Sequence, residues 1–409
     1  MACYPLSLPG NFPKTTHFLN LFRGLGFVKF KRISYNSNMR IGIDCRLWEQ
    51  TGVGRYTKNI VLNLQKIDPK NQYVLFIRSE DYENIKKRIT NPKWKIIKTD
   101  IKWHSFSEQL KLPTIIRREK LDLMHFPYFS VPIFYNRPFI VTIHDLIINH
   151  FSTGKASTLA YPLYLTKKEG YKFVIEQAVK NAKKIIVPSD ATKQEIISHF
   201  KIAESKIDII YEGSELTTQK SASEPKVSGK YFLYVGNAYP HKNLERLIQA
   251  FKKLANEEQD LKLILVGQKD YFYQRLESEH QSDRIIFYGK ASDRELINLY
   301  DNAVGLVAPS LMEGFGLPVL EAMSLNCLVL ASDIPAFKEI AGETAIYFNP
   351  QDEDDIYLKL KLVLENGEEY KAEKIEKAFK KSQQFSWEKA AAQTLNIYES
   401  SPSASSSGR

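Results

Sequence analysis

From Met39 onward the chain alternates short runs rich in β-branched and aromatic residues with stretches of helical period, and it does so twice. The first series is RIGID, YVLFI, WKIIK, LDLMHF, FIVTIHD, KIIVPS and IDIIY, with helical sequence such as YTKNIVLNLQKI, EGYKFVIEQAVKNA and DATKQEIISHF between several of them. The second is YFLYVG, LKLILVG, RIIFYG, AVGLVAPS, CLVLAS and AIYFN, with NLERLIQAFKKLA as its first helix. Strands separated by helices are joined by crossovers, which builds a parallel sheet with helices on both faces. Two such series predict an α/β chain of two doubly wound domains in tandem, with a cleft between them. Open sheets of this kind bind ligands in the loops beyond the carboxyl ends of their strands, so the site is expected there.

The polar stretch GSELTTQKSASEPKVSGK has no periodicity and divides the two series. The expected domains are 39–215 and 230–385, joined by a linker at 216–229. A final helix over 386–400 is a candidate to pack back across the junction. Residues 1–38 carry five Lys or Arg and no acid. Within them HFLNLFRGLGFVKFKRI has the spacing of an amphipathic surface helix, but Gly24 and Gly26 oppose a stable one. An extension outside the fold is the expectation there, and disorder is expected for the Ser-rich tail 401–409.

Composition bounds the class. With 43% hydrophobic and 25% charged residues the chain reads as a globular protein, and no run approaches the ~18–20 apolar residues of a membrane-spanning helix. Cys3, Cys45 and Cys327 lie far apart, which suggests neither a disulfide framework nor a zinc site, and a cytoplasmic compartment is expected. The net charge of +10 is uneven: residues 84–120 hold eleven basic groups against Asp100, Glu108 and Glu119. Such an excess favours a polyanionic partner, and a phosphorylated ligand, an anionic membrane or a nucleic acid would each serve. No nucleic-acid recognition motif accompanies it, so nucleic acid is not expected. Trp94 and Trp103 lie in this region, which reads either as a solvated basic face or as a surface for peripheral contact with anionic lipid on the inner face of the membrane.

The most informative stretch is SLMEGFGLPVLEAM, after the strand GLVAPS. Gly314 and Gly316 let backbone amides approach a ligand, and Leu317-Pro318 opens a helix, where proline fits because its missing N–H would be unpaired anyway. Unpaired amides and the helix dipole then favour an anion. Glu321, within the first helical turns, can accept two hydrogen bonds from a vicinal diol such as a ribose. Together these describe a nucleoside diphosphate, with Glu313 facing whatever lies beyond the phosphates. Each acid taken alone reads equally as complementing the dipole of an exposed helix.

The run EGFGLPVLEAM resembles the E-x7-E signature of the retaining nucleotide-sugar transferases of glycosyltransferase family 4, which have two Rossmann-like domains (the GT-B architecture). The resemblance spans roughly Met39 to the final helix. It implies that Glu321 holds the ribose, that Glu313 contacts the transferred sugar, and that Gly314, Phe315, Gly316 and Leu317 form the turn around the nucleotide sugar. YVGNAYPHKNLERL resembles the family's phosphate loop, which gives Gly236 and Lys242 to the diphosphate; the family's usual arginine is absent, since Asn237 and Ala238 follow the glycine. DCRLWEQTGVGRYTKNI is a poor dinucleotide fingerprint but resembles the family's mobile glycine loop, so Gly52 and Gly54 are expected to close over the phosphates. Arg55 is expected either to join them or to be exposed. FIVTIHDL ends a strand with His144, matching a family histidine near the sugar. Asp145 could orient its imidazole or cap the next turn, and His125 is an acceptor-side candidate.

The acidic run QDEDD is read as a helix start, not a metal site; no metal and no cofactor are expected. The resemblance implies a hexosyltransferase with a nucleotide-sugar donor, mannose from GDP-mannose being the first expectation, and a saccharide or lipid-linked acceptor in surface-polysaccharide assembly. A nucleotide-sugar epimerase of the same architecture and a non-catalytic nucleotide-binding subunit remain as rivals.

Overall fold

The computed structural model describes residues 38–151, 161–216 and 227–401. Its first sheet contains β1 (Arg40–Asp44), β2 (Gln72–Ile77), β3 (Lys95–Lys98), β4 (Leu123–Phe126), β5 (Phe139–Thr142), β6 (Lys184–Val187) and β7 (Ile207–Ile209), in the order β3-β2-β1-β4-β5-β6-β7. The second contains β8 (Tyr231–Val235), β9 (Lys262–Val266), β10 (Ile285–Gly289), β11 (Gly305–Ala308), β12 (Val329–Ser332) and β13 (Ile346–Phe348), in the order β10-β9-β8-β11-β12-β13. Every pairing in both sheets is parallel. The strand order therefore reverses at β1/β4 in one sheet and at β8/β11 in the other, and the crevice at such a reversal is where ligands bind.

Helices cover both faces of each sheet, so the strands are buried on both sides and read as continuous apolar runs. Tyr73 to Ile77 of β2 are fully buried, as are Leu263, Ile264 and Leu265 of β9. Helix Leu244–Ala255 shows how a face is covered. Leu247, Ile248, Phe251 and Leu254 share its buried side, each worth about 1.5–3 kcal/mol relative to exposure.

The last helix, Trp387–Ser400, packs on helix Thr51–Ile67 of the first domain. Trp387, Ala390, Ala391 and Tyr398 belong to that domain's core, so this helix returns from the second domain to the first. Residues 1–37, 217–226 and 402–409 lie outside the described residues, and with them the expectations for the basic extension, most of the linker and the tail.

Two features depart from the sequence reading. The helix at Phe106–Arg118 is not among the helical stretches read from the sequence; Pro113 lies inside it and is buried, and packing holds the helix through the missing hydrogen bond. Trp94 is not a surface residue: it is buried, its ring 4.3 Å from that of Tyr73. Trp103 is half-buried under Arg78. The exposed apolar groups of the basic region are instead Phe106, 90% exposed, and Leu110, 62% exposed, one turn apart on the same helix.

Candidate active site

The second domain supplies its residues from loops after β8 and β11, the two strands at its reversal point. Past β11, Gly316 has φ 117° and starts helix Leu317–Ser324, with Pro318 in its first turn. That positive φ suits glycine, and an added Cβ would meet the Phe337 ring at 2.8 Å. Past β8, a short turn Pro240–Lys242 carries Lys242 to Glu313, with Nζ 2.6 Å from Oε1. The Ser310 hydroxyl donates to the same oxygen at 2.7 Å. Burial pushes Glu313 up, but Lys242, His241 and these hydrogen bonds outweigh it and hold the carboxyl below its ordinary range. Lys242, Glu313, Gly316 and Pro318 line one cavity with Tyr234, Ser310 and Phe337. Gly236 follows β8, but its N–H donates to the Val266 carbonyl and its own carbonyl accepts from Tyr273, so its backbone is already engaged. The Phe315 ring is buried near Tyr211 and Phe385, which leaves its backbone as the part that can face a ligand.

Glu321 is buried one turn into the helix, and Arg55 of the first domain reaches it directly. Tyr300 donates a second hydrogen bond at 3.1 Å. Burial raises the Glu321 carboxyl, and Arg55 and Tyr300 only partly oppose this. Arg55 is partly exposed, and its guanidinium is engaged by Glu321. It bridges the cleft, with Glu215 3.7 Å away on its other side.

In the first domain Gly52 and Gly54 do not form a free loop. Helix Thr51–Ile67 has already begun, and both glycines sit in its first turn. That helix has no side-chain N-cap and no acid in its first turn, so its mouth favours an anion. His144 follows β5 and stands at the seam between domains. Its ring is held by Glu212 at Nδ1 (3.1 Å) and by the Pro127 carbonyl at Nε2 (3.0 Å). Asp145 does not orient this imidazole; its Oδ1 caps the next turn by accepting from the Ile147 N–H at 2.9 Å.

His125 is a correction. It is fully buried, with Nδ1 2.7 Å from the Tyr398 hydroxyl and Nε2 2.8 Å from that of Thr142. Burial and the nearby His144 push its pKa down to about 3, so it is a neutral packing residue, closed off from any acceptor. Asp352 of the acidic run accepts from the Asp354 and Asp355 amides and caps helix Glu353–Glu365. Among the described residues no cluster of three or more His, Cys, Asp or Glu is placed to hold a metal ion.

The two domains touch through backbone as well as through Arg55. The Gly314 carbonyl accepts from Ser189 Oγ at 2.5 Å and from Thr192 Oγ1 at 3.2 Å. Glu339 accepts from the Asp190 and Ala191 amides across the same seam. The cavity beside Lys242 and Glu313 measures about 10 Å³, room for about one water, whereas drug-sized ligands occupy pockets of roughly 300–1,000 Å³.

Three of these partners went unnoticed in the sequence: Glu212, Tyr300 and the Ser189–Thr192 clasp on Gly314. Glu212 carried a usable signal, since IDIIYEG places an acid just past a strand's carboxyl end, the criterion that picked out His144. Tyr300 lies inside a helix and carried none.

Residues 51–217 match the family described as Glycosyltransferase Family 4, and residues 215–381 match Glycosyl transferases group 1. Over 254 residues the chain is 31% identical to the O-antigen chain mannosyltransferase RfbU of Salmonella typhimurium, covering 61% of this chain and 67% of that protein. It is 29% identical to the O-antigen chain mannosyltransferase B of Escherichia coli, over 69% of this chain and 76% of that one. Among solved structures it resembles sucrose-phosphate synthase of Thermosynechococcus elongatus, with TM-score 0.71 and 19% identity over 88% of this chain and 98% of that one. It also resembles Anabaena HepE in complex with UDP and glucose, with TM-score 0.67 and 16% identity over 89% and 100%. Since consecutive halves of the sequence match the two parts of one enzyme class on the fold seen here, the chain belongs to glycosyltransferase family 4 and is a glycosyltransferase of the two-Rossmann-domain architecture.

Proposed function

We propose that the enzyme transfers mannose from GDP-mannose, with retention at the anomeric carbon, to a lipid-linked saccharide in surface-polysaccharide assembly. The sugar rests on the relatives, which are O-antigen mannosyltransferases. The observation that carries the chemistry is the Lys242–Glu313 pair beside the mouth of helix Leu317–Ser324. As the bond between the anomeric carbon and the diphosphate breaks, negative charge grows on the departing oxygen. In this reading the ammonium and the helix amides stabilise it, a role typically worth about 3–4 kcal/mol per preorganised group. The acceptor oxygen bonds to the same carbon, and its proton passes to the departing phosphate, leaving glycosylated acceptor and GDP. Glu313 orients the sugar, and Glu321 takes the ribose once Arg55 releases it.

A panel of nucleotide sugars, read by thermal stabilisation, tests the reading. A ligand at a hundredfold its Kd adds about 2.7 kcal/mol. Stabilisation by UDP-sugars alone would overturn the GDP-mannose assignment, and none by any nucleotide would overturn the site. The acceptor surface is testable separately. Phe106 and Leu110 project from a basic helix, which suits an anionic lipid surface. Failure to co-sediment with anionic vesicles at low salt would remove the membrane from the scheme.

A further inference from the structure

The segment after β7 carries a buried acid that the reaction described above does not use. Glu212 Oε1 lies 3.1 Å from His144 Nδ1, while His144 Nε2 lies 3.0 Å from the Pro127 carbonyl oxygen. A carbonyl oxygen only accepts, so Nε2 carries a proton, and the carboxylate oxygen at Nδ1 accepts as well. Two acceptors on one ring require two N–H groups, which is an imidazolium.

The other groups around the ring are consistent with this. Tyr56, from helix Thr51–Ile67, packs edge-on at 4.8 Å and brings no charge. Asp145 adds a second negative group from the same loop, with Glu313 and Lys242 in electrostatic reach of it across the cleft. His125, the nearest like group, is held neutral. Burial alone pushes His144 down, but Glu212, the Pro127 carbonyl and Asp145 outweigh it and keep the ring above its ordinary range. His144 also stands at the reacting seam, its carbonyl pressed against Gly314 next to Glu313.

We propose that Glu212 is a positioning residue that keeps His144 an imidazolium, so that the active site offers the transferred sugar and departing diphosphate a fixed cation and never a base. This rests on the glycosyl-transfer reading. A ring with no lone pair cannot take the acceptor hydroxyl's proton, which leaves the departing phosphate oxygen to receive it.

The experiment is two-dimensional NMR of protein labelled with 15N-histidine, the His144 signals being assigned with His144→Gln, together with pH–rate profiles of wild type and Glu212→Gln. Glutamine removes the charge, and its amide N–H can donate to a bare Nδ1, so a neutral ring is satisfied there. In wild type both ring nitrogens are expected to be protonated at about pH 7.5. In Glu212→Gln the ring should be a neutral tautomer there. Raised pKa values put the charged form below the titration and lose it as pH rises. The variant's kcat should therefore fall by at least about tenfold between about pH 5.5 and 7.5, the drop in charged fraction across an ordinary histidine titration and more once burial is unopposed, while wild type stays level. A neutral His144 in wild type at neutral pH overturns the proposal even if the variant does not fold. So does an imidazolium, or a pH–rate profile, that Glu212→Gln leaves unchanged. Absence of sugar transfer would instead count against the reaction assigned above, and the NMR result stands apart from it.

Discussion

Gly314→Ala is the sharpest test of the seam. A Cβ on Gly314 would stand 1.8 Å from the His144 carbonyl oxygen and 2.8 Å from its carbon, with Asp145 Cβ at 3.2 Å. Real Cβ contacts essentially never fall under 3.0 Å. The obstacle is backbone, which has no rotamer to move to, so the gap between the domains has to widen from 1.8 to about 3 Å, an opening of about 1.2 Å. That opening falls between Glu313 on one side and His144 on the other, and it stretches the Ser189 and Thr192 hydrogen bonds to the Gly314 carbonyl. A displacement of about 1 Å between reacting groups costs about a hundredfold in rate. Initial-rate kinetics at saturating nucleotide sugar should show kcat down by about that factor. Both sheets keep their cores, so thermal stabilisation by nucleotide should persist. Gly170→Ala in helix Tyr161–Asn181, where an added Cβ meets nothing within 4 Å, is the control; it should leave activity intact and add about 0.5–1 kcal/mol of stability. Wild-type kcat in Gly314→Ala, or a melting transition lost altogether, would refute the reasoning.

Lys242→Ala should lower kcat by about 10²–10³ with a smaller effect on donor KM, because the ammonium acts most on charge that develops during transfer; an unchanged kcat removes it from the phosphate site. Arg55→Ala leaves Glu321 buried with only Tyr300. Since Arg55 is partly exposed, the ligand-free protein should lose about 1–3 kcal/mol, short of the full cost of breaking a buried pair. Nucleotide should then stabilise the variant more than it stabilises wild type, because no cation competes for the ribose carboxylate; calorimetric unfolding with and without GDP decides it. His125 binds its proton far more weakly in the fold, at about 3, than in the unfolded chain near the ordinary 6.5. Its contribution is present above about pH 6.5 and lost as pH falls toward 3, at about 1.4 kcal/mol per unit. Urea unfolding between about pH 7 and 5 should show a flatter pH slope in His125→Asn, and an equal slope would contradict the neutral assignment.

The α/β alternation, the two sheets and the family were legible because they rest on local pattern. Runs such as YVLFI and LKLILV, short and rich in β-branched and aromatic residues, read as strands buried on both faces, and EGFGLPVLEAM carries its turn glycines, helix-opening proline and two acids within a few residues. The helix at Phe106–Arg118 carries a proline that argues locally against it, and only packing on the core overrides that. Trp94 and His125 were misplaced for the same reason: a tryptophan in a basic stretch and a histidine at a strand end look accessible until the layer above them is known.

What the chain order could not contain is which groups meet across the cleft. Lys242 and Glu313 are 71 residues apart, Arg55 and Glu321 are 266 apart, and Glu212 reaches His144 over 68. Periodicity and turn chemistry act over one or two turns of chain and so determine elements. Ion pairing and desolvation act over a few ångströms of space, so the state of each acid and of the histidine was decided only when the two sheets closed on each other.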